Sequence, residues 1–151
     1  MRRKDREITD RNTINDIIGR CKVCRIALCD DGQPYVLPLN FGYDGEYLYF
    51  HSANDGKKIE ILKKNNRVGF EFDILNAIIT DETPCKWGAK YESVVGTGIA
   101  EFIESRQEKA KSLACILRQY GGVFDQFKDS SFSAVTIIRV AIISISGKEK
   151  K

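Results

Sequence analysis

No apolar run in the chain approaches the roughly 18 residues a membrane-spanning helix requires. A membrane role through a helix is thereby excluded. No strong excess of one charge is present either. Twenty-four Lys and Arg face 21 Asp and Glu, for a net +3. That is too little to argue for nucleic acid as a partner, and part of the excess sits at the ends, in Arg2, Arg3, Lys4, Arg6, Lys148, Lys150 and Lys151. Residues 1–8 and 148–151 are expected to be loose, solvated tails. The charged start is not followed by an apolar signal core, which leads us to expect a cytoplasmic protein.

Motifs of common chemistries are missing too. The chain has no Walker motif, no Gly-x-Ser-x-Gly elbow, no Ser-His-Asp pattern and no paired acids in an identifiable cleft. Gly96-Thr97-Gly98 lacks the third glycine of a dinucleotide fingerprint and falls inside a strand pattern, so those glycines are read as permitting a bend or close packing. The five cysteines, Cys21, Cys24, Cys29, Cys85 and Cys115, are expected as reduced thiols. Cys21 and Cys24 have the spacing of half a zinc site, but no second pair completes it. They lead into a strand pattern rather than opening a helix, against a redox pair as well. No repeat, low-complexity stretch or internal linker interrupts the 151 residues, which read as one domain.

What is present is a run of short periodic segments. Thr9 to Gly19 predicts a helix capped by Thr9, with Ile14, Ile17 and Ile18 on one face. The period then falls to two. Val23–Cys29, Tyr35–Tyr43 and Glu46–Ser52 predict three strands in an antiparallel meander, turned at Asp31-Gly32 and Asp44-Gly45. A helix follows over 56–64, then strands at Arg67–Ile74 and Lys90–Ile103; residues 75–88 between them are mixed and carry Pro84, so their middle is expected to be a loop. Ser105-Arg106-Gln107-Glu108 has the capping-box pattern. It opens a helix whose apolar stripe is Ala110, Leu113, Ala114, Leu117 and Tyr120, stopped by Gly121-Gly122. Phe132–Ser146 predicts a last strand. Six strands joined mostly by turns lack the helical crossovers of a parallel sheet. They predict a mainly β fold, a small antiparallel barrel with flanking helices.

Two segments invite a ligand. In Tyr49-Phe50-His51-Ser52-Ala53-Asn54-Asp55-Gly56-Lys57-Lys58 a strand ends, a small polar loop follows, and a helix begins. Free N–H groups at a helix start favour an anion, and Lys57 and Lys58 add cations. The segment reads equally as a phosphate seat or as an ordinary strand-to-helix loop with exposed lysines. His51 is the chain's only histidine; a lone histidine is more often packed than catalytic. In Tyr35–Tyr43, Pro38 cannot donate a ladder hydrogen bond, so its strand is expected to be interrupted there or to lie at an edge.

These residues carry a resemblance. Met1–Ile8, Val36-Leu37-Pro38-Leu39-Asn40-Phe41-Gly42-Tyr43, Tyr49-Phe50-His51-Ser52-Ala53 with Gly56 and Lys58, and Tyr91–Phe102 are together similar to the nitroimidazole-resistance branch of the pyridoxamine-phosphate-oxidase-like proteins. The likeness runs from residue 1 to about Phe102 and weakly to Gly147. It implies a six-stranded antiparallel split β-barrel of the FMN-binding type, working as a homodimer with FMN, or FAD, at the subunit interface. Carried over by position, Lys57 and Lys58 hold the flavin phosphate with help from Ser52. The backbone at Pro38, Leu39 and Asn40 lines the ring, and Phe50 and His51 lie beside it, with His51 toward the substrate. Trp87 and Ser93 reach across the dimer. Glu92 departs from the pattern, where a basic residue is expected. The implied activity is flavin-dependent reduction of a nitro group or another small acceptor, with NAD(P)H as donor. A flavin carrier without turnover of its own stays open, and so does a barrel that has lost flavin, although the kept His51-Ser52-Ala53 and lysines speak against the latter.

Overall fold

The hairpin Cys24–Asp30 (β2) and Gln33–Leu39 (β3) shows how local chemistry starts the sheet. Its two turn residues, Asp31 and Gly32, both have positive φ, as the tight turn that matches strand twist demands. Asp30 pairs with Gln33 directly across it. The computed structural model describes residues 3–124, 127 and 132–151; Met1 and Arg2 of the expected N-terminal tail lie outside these.

The other strands are Glu7–Ile8 (β1), Gly42–Tyr43 (β4), Tyr47–Ser52 (β5), Arg67–Ile79 (β6), Gly88–Ile103 (β7) and Thr136–Lys150 (β8). The helices are Arg11–Arg20 (α1), Lys57–Lys64 (α2) and Arg106–Gln119 (α3). The strands form one sheet of eight, all pairs antiparallel, in the order β3-β2-β6-β7-β8-β5-β4, with β1 on β8. The two ends of this order, β3 and β4, are separated only by Asn40 and Phe41. The sheet therefore curls until its edges nearly meet, yet no ladder joins them. That is a split barrel, and its seam runs at Asn40–Phe41.

The mainly β, antiparallel class is as expected; several details differ. Among the described residues there are eight strands instead of six. The segment read as one strand, Tyr35–Tyr43, is two, because it crosses the seam; the meander is thus divided between opposite edges. β3 runs through Pro38, paired with Arg25, and can do so because it is an edge strand. Within residues 75–88 only the ends are ladder, since β6 reaches Ile79 and β7 starts at Gly88, across a register shift near Leu75–Ala77; the middle, 80–87, lies outside the strands, as expected. The last strand runs over Thr136–Lys150, with Phe132 and Ser133 helical. The expected tails are partly structural, because Glu7 and Ile8 pair with Lys148 and Gly147 and bury Ile8.

Inward residues build the core: Ile26 and Leu28 of β2, Leu48 and Phe50 of β5, Val68, Phe70 and Phe72 of β6, Val94 of β7, and Ile138 and Val140 of β8, with Ile14, Ile17 and Ile18 of α1 and Ile59, Ile61 and Leu62 of α2. Gly98 lets β7 lie against Val140 and Ala141, where an added Cβ would stand 2.5 Å from Val140 Cγ1. α1 is capped by Asp10, not Thr9: its carboxylate accepts the Thr13 amide at 2.8 Å, one residue later than expected. Ser105 makes no side-chain cap on α3, because Glu108 turns instead toward Arg139. α3 buries Ser112, Cys115 and Ile116 most deeply, while Ala110, Leu113, Ala114 and Leu117 of the expected stripe are half-buried and Tyr120 is exposed; the helix lies directly on Gly42, whose Cβ would stand 2.6 Å from the Ile116 nitrogen.

Candidate functional site

Successive strand side chains alternate between faces, and that alternation sorts the candidate residues. On β5, Phe50 and Ser52 are buried while His51 is exposed. Phe50 is a core residue, and on the outer face it has only its backbone to offer. On β3, Leu39 packs against the core while Pro38 is exposed, and Asn40 beyond it is exposed too. β4 and β5 pair Tyr43 with Leu48 and Gly42 with Tyr49. Continued two residues further, that register sets Asn40 against His51. Pro38, Asn40 and His51 are thus the exposed candidates near the seam, a candidate wall for a ligand.

α2 supplies the other half. Asn54 pins the loop before it, donating to the Ser133 carbonyl at 2.8 Å and accepting from Thr136 Oγ1 at 3.0 Å. Gly56 then turns the chain with φ 112° and ψ 164°, a conformation essentially reserved for glycine. No side chain caps the helix, so N–H groups of its first turn remain to be satisfied from outside.

The two lysines are not equivalent. Lys57 lies 3.7 Å from Asp30 Oδ2 and 5.0 Å over the Tyr35 ring. Lys58 is half-buried and has no ion pair or hydrogen bond to any described residue. Burial alone pulls its ammonium below the ordinary 10.5, with nothing opposing. A partly desolvated cation with no counter-charge among the described residues, beside an uncapped helix start, has the chemistry that favours an anion, a candidate seat. The phosphate of a flavin fits that donor set.

Trp87 and Ser93 are elsewhere. The Trp87 indole N–H donates to the Asp81 carbonyl at 2.7 Å, within the β6–β7 connection. Ser93 pairs with Lys148, eleven residues along β8 from Ile137, the partner of His51. At about 3.3 Å per residue that is on the order of 35 Å, so the structure does not bring these two residues to the wall of their own chain. Glu92 is engaged at home: its carboxylate accepts from Arg20 Nη2 at 2.6 Å and Nη1 at 3.1 Å, and from Asn76 at 3.1 Å. Arg20, donating those bonds, holds the Glu92 carboxyl below the usual 4.5.

Cys21 and Cys24 are buried, and desolvation raises both thiols, Cys21 to about 11 and Cys24 further. Both thiols are therefore held in the protonated form by their surroundings, unlike the activated thiol of a redox pair. Among the described residues no cluster of three or more His, Cys, Asp or Glu side chains could hold a metal, and no helix is long and apolar enough to cross a membrane.

Sequence reading missed Asn54, Asp30 and Tyr35 as neighbours of the seat. Asn54-Asp55-Gly56 is a legible turn signal; the contacts of Asp30 and Tyr35 with Lys57 are tertiary and leave no local trace.

The comparisons with known proteins agree with this fold. The family model for pyridoxamine 5'-phosphate oxidase matches residues 10–149. A crystal structure from Bacteroides thetaiotaomicron, provisionally assigned to 5-nitroimidazole antibiotic resistance, superposes with TM-score 0.85 at 34% identity, over 94% of this chain and 85% of that one. An FAD-binding protein from Mesorhizobium loti has TM-score 0.72 at 25% identity, over 97% and 98%. A flavocytochrome from Azotobacter vinelandii shares the fold, with TM-score 0.85 at 18% identity, over 100% of this chain and 72% of that one. An uncharacterized protein from Rhizobium meliloti is 28% identical over 64 residues, so that the match spans 42% of this chain and 42% of that curated relative. With an antiparallel split barrel and a family match over nearly its whole length, this chain belongs to the pyridoxamine 5'-phosphate oxidase family.

Proposed function

We propose that this protein binds a flavin, FMN or FAD, and uses it as an oxidoreductase that passes electrons from NAD(P)H to a small acceptor such as a nitro compound. The observation that carries the reading is Lys58, half-buried and without an ion pair to any described residue, beside an uncapped helix start. Lys58 and the first N–H groups of α2 hold the phosphate. Lys57, shared with Asp30, adds a weaker attraction. Pro38, Asn40 and the backbone of Leu39 and Phe50 line the ring, and Ser52 closes the strand end below the seat. His51, exposed and without a hydrogen-bond partner among the described residues, faces the substrate. The flavin supplies the redox chemistry; the residues of the chain bind it, orient it and shield one side.

The other side needs a second subunit, and we read the protein as a homodimer. Val36 (60% exposed), Val95 (46%) and Ile143 (67%) are apolar side chains on the outer face. Ile143 also lines a groove of about 600 Å³, together with Ala27, Cys29, Arg67, Thr97 and Ile99. A symmetric interface there covers apolar surface and brings Trp87 and Ser93 of one copy toward the wall of the other.

The test is flavin affinity, measured by fluorescence quenching. Charge-assisted hydrogen bonds are worth roughly 1.5–3 kcal/mol each. The Lys57→Ala, Lys58→Ala double variant should bind FMN about a hundredfold more weakly, near 2.7 kcal/mol, with Lys58→Ala alone giving most of the loss. Circular dichroism should show an unchanged fold. A folded double variant with parental affinity sinks the phosphate seat. Binding without turnover of nitroaromatics and NAD(P)H identifies a flavin carrier instead.

A further inference from the structure

The seam of the barrel is held from outside the sheet. Phe41 is fully buried and lies beyond the last pair of either neighbouring ladder. Its N–H finds no backbone acceptor and donates instead to the Tyr120 hydroxyl at 3.0 Å. That hydroxyl gives its own proton to the Lys22 carbonyl at 2.8 Å. One phenol thus joins the end of α3, the chain just after α1 and the seam between β3 and β4.

Tyr120 is aimed by its neighbours. Gln119 Nε2 donates to the carbonyls of Ile18, Gly19 and Cys21 at 3.0–3.1 Å, and Lys22 Nζ donates to the Gln119 carbonyl at 2.9 Å. The end of α3 is therefore clamped to the end of α1. On the other side of the seam, Gly42 lets the α3 backbone lie directly on β4. The hydroxyl has little room to wander.

A trans peptide is planar, so the Asn40 C=O points opposite to the Phe41 N–H. Fixing the N–H fixes the direction of that carbonyl. We propose that Tyr120 is a positioning residue for the flavin wall: by holding the Phe41 amide it sets the Asn40 carbonyl as an acceptor for the imide N–H of the ring. This rests on the flavin reading above. Tyr120 touches no ligand itself; it acts through the seam peptide.

The experiment compares Tyr120→Phe with Gln119→Ala, using FMN as the probe. Both loosen the α3 clamp, but only the first removes the seam hydrogen bond. Tyr120→Phe should speed hydrogen exchange at the Phe41 amide, weaken FMN binding about tenfold and shift the visible flavin band. Gln119→Ala should lower the melting temperature while keeping FMN affinity within about twofold and the band in place. If Tyr120→Phe keeps parental affinity and spectrum, the proposal is overturned while the flavin reading stands. Equal losses in the two variants overturn it too, since general loosening then accounts for both. A parent protein that takes up neither FMN nor FAD overturns the flavin reading and this proposal together.

Discussion

Gly56 and Lys58 show how much can depend on single residues here. An added Cβ at Gly56 meets nothing within 4 Å, so space is not what requires glycine. The requirement is the backbone: φ 112° with ψ 164° is strained for any L side chain. Gly56→Ala should cost about 1–3 kcal/mol, or else rotate the start of α2. Either way the first N–H groups of the helix swing off target. Thermal unfolding should show the stability loss, and FMN titration should show affinity falling about tenfold. A variant that lost stability but kept affinity would separate the turn from the seat. Lys58 illustrates the complementary point. A motif reading treats it and Lys57 as a pair, but Asp30 and Tyr35 occupy one and leave the other unmatched. Which lysine has a counter-charge among the described residues depends on a hairpin more than twenty residues away.

Among the elements, α1 and β7 are tied by the Arg20–Glu92 pair. The Glu92 side chain is 19% exposed, and it accepts both Arg20 nitrogens and Asn76. Its folded pKa is held below the ordinary 4.5, chiefly by the hydrogen bond from Arg20. A carboxylate with a depressed folded pKa contributes stability that is present above its unfolded pKa and lost as pH falls through the folded value. Glu92→Gln should therefore be less stable than the parent at pH 7, by about 0.5–1 kcal/mol for a pair that solvent still reaches. The gap should close as pH drops below about 4.5. Urea unfolding at pH 7 and pH 3 measures it, and a gap that persists at pH 3 would show that shape, not charge, accounts for the cost. Glu92 was the one departure from the family pattern visible in the sequence. Its partner explains it: the residue serves the fold of its own chain.

For the whole molecule, the question is what covers the outer face. Ile143 stands at a register shift, where β7 residues Thr97 and Gly98 face Ser144 and Ile142 and leave Ile143 without an opposite number. The bulge pushes it outward beside the groove. A lysine there would place a charge in the middle of an apolar contact at little cost to the monomer. Ile143→Lys should halve the mass seen by light scattering and lower flavin affinity, while circular dichroism stays unchanged. A parent that is monomeric at micromolar concentration with flavin bound would refute the two-subunit site.

Much of this protein could be read locally. Strand alternation, the Asp31-Gly32 turn, the α1 face of Ile14, Ile17 and Ile18, and the loop-to-helix change at Gly56 are short-range effects of backbone sterics and side-chain periodicity, which a sequence carries openly. Those signals are enough for a mainly β, antiparallel fold and for a candidate anion seat, while the resemblance in Val36–Tyr43 and Tyr49–Lys58 pointed to the family that the match over residues 10–149 establishes. Tertiary structure decided the rest. Where the 35–43 segment breaks depends on the sheet closing on itself. Which face of α3 is buried depends on Gly42 letting a helix backbone approach a strand. Glu7 and Ile8 become strand only because β8 runs far enough to pair with them. The Phe41–Tyr120 bond joins residues 79 apart in sequence. Each of these is a contact made after chain closure, and no local propensity encodes a partner that distant.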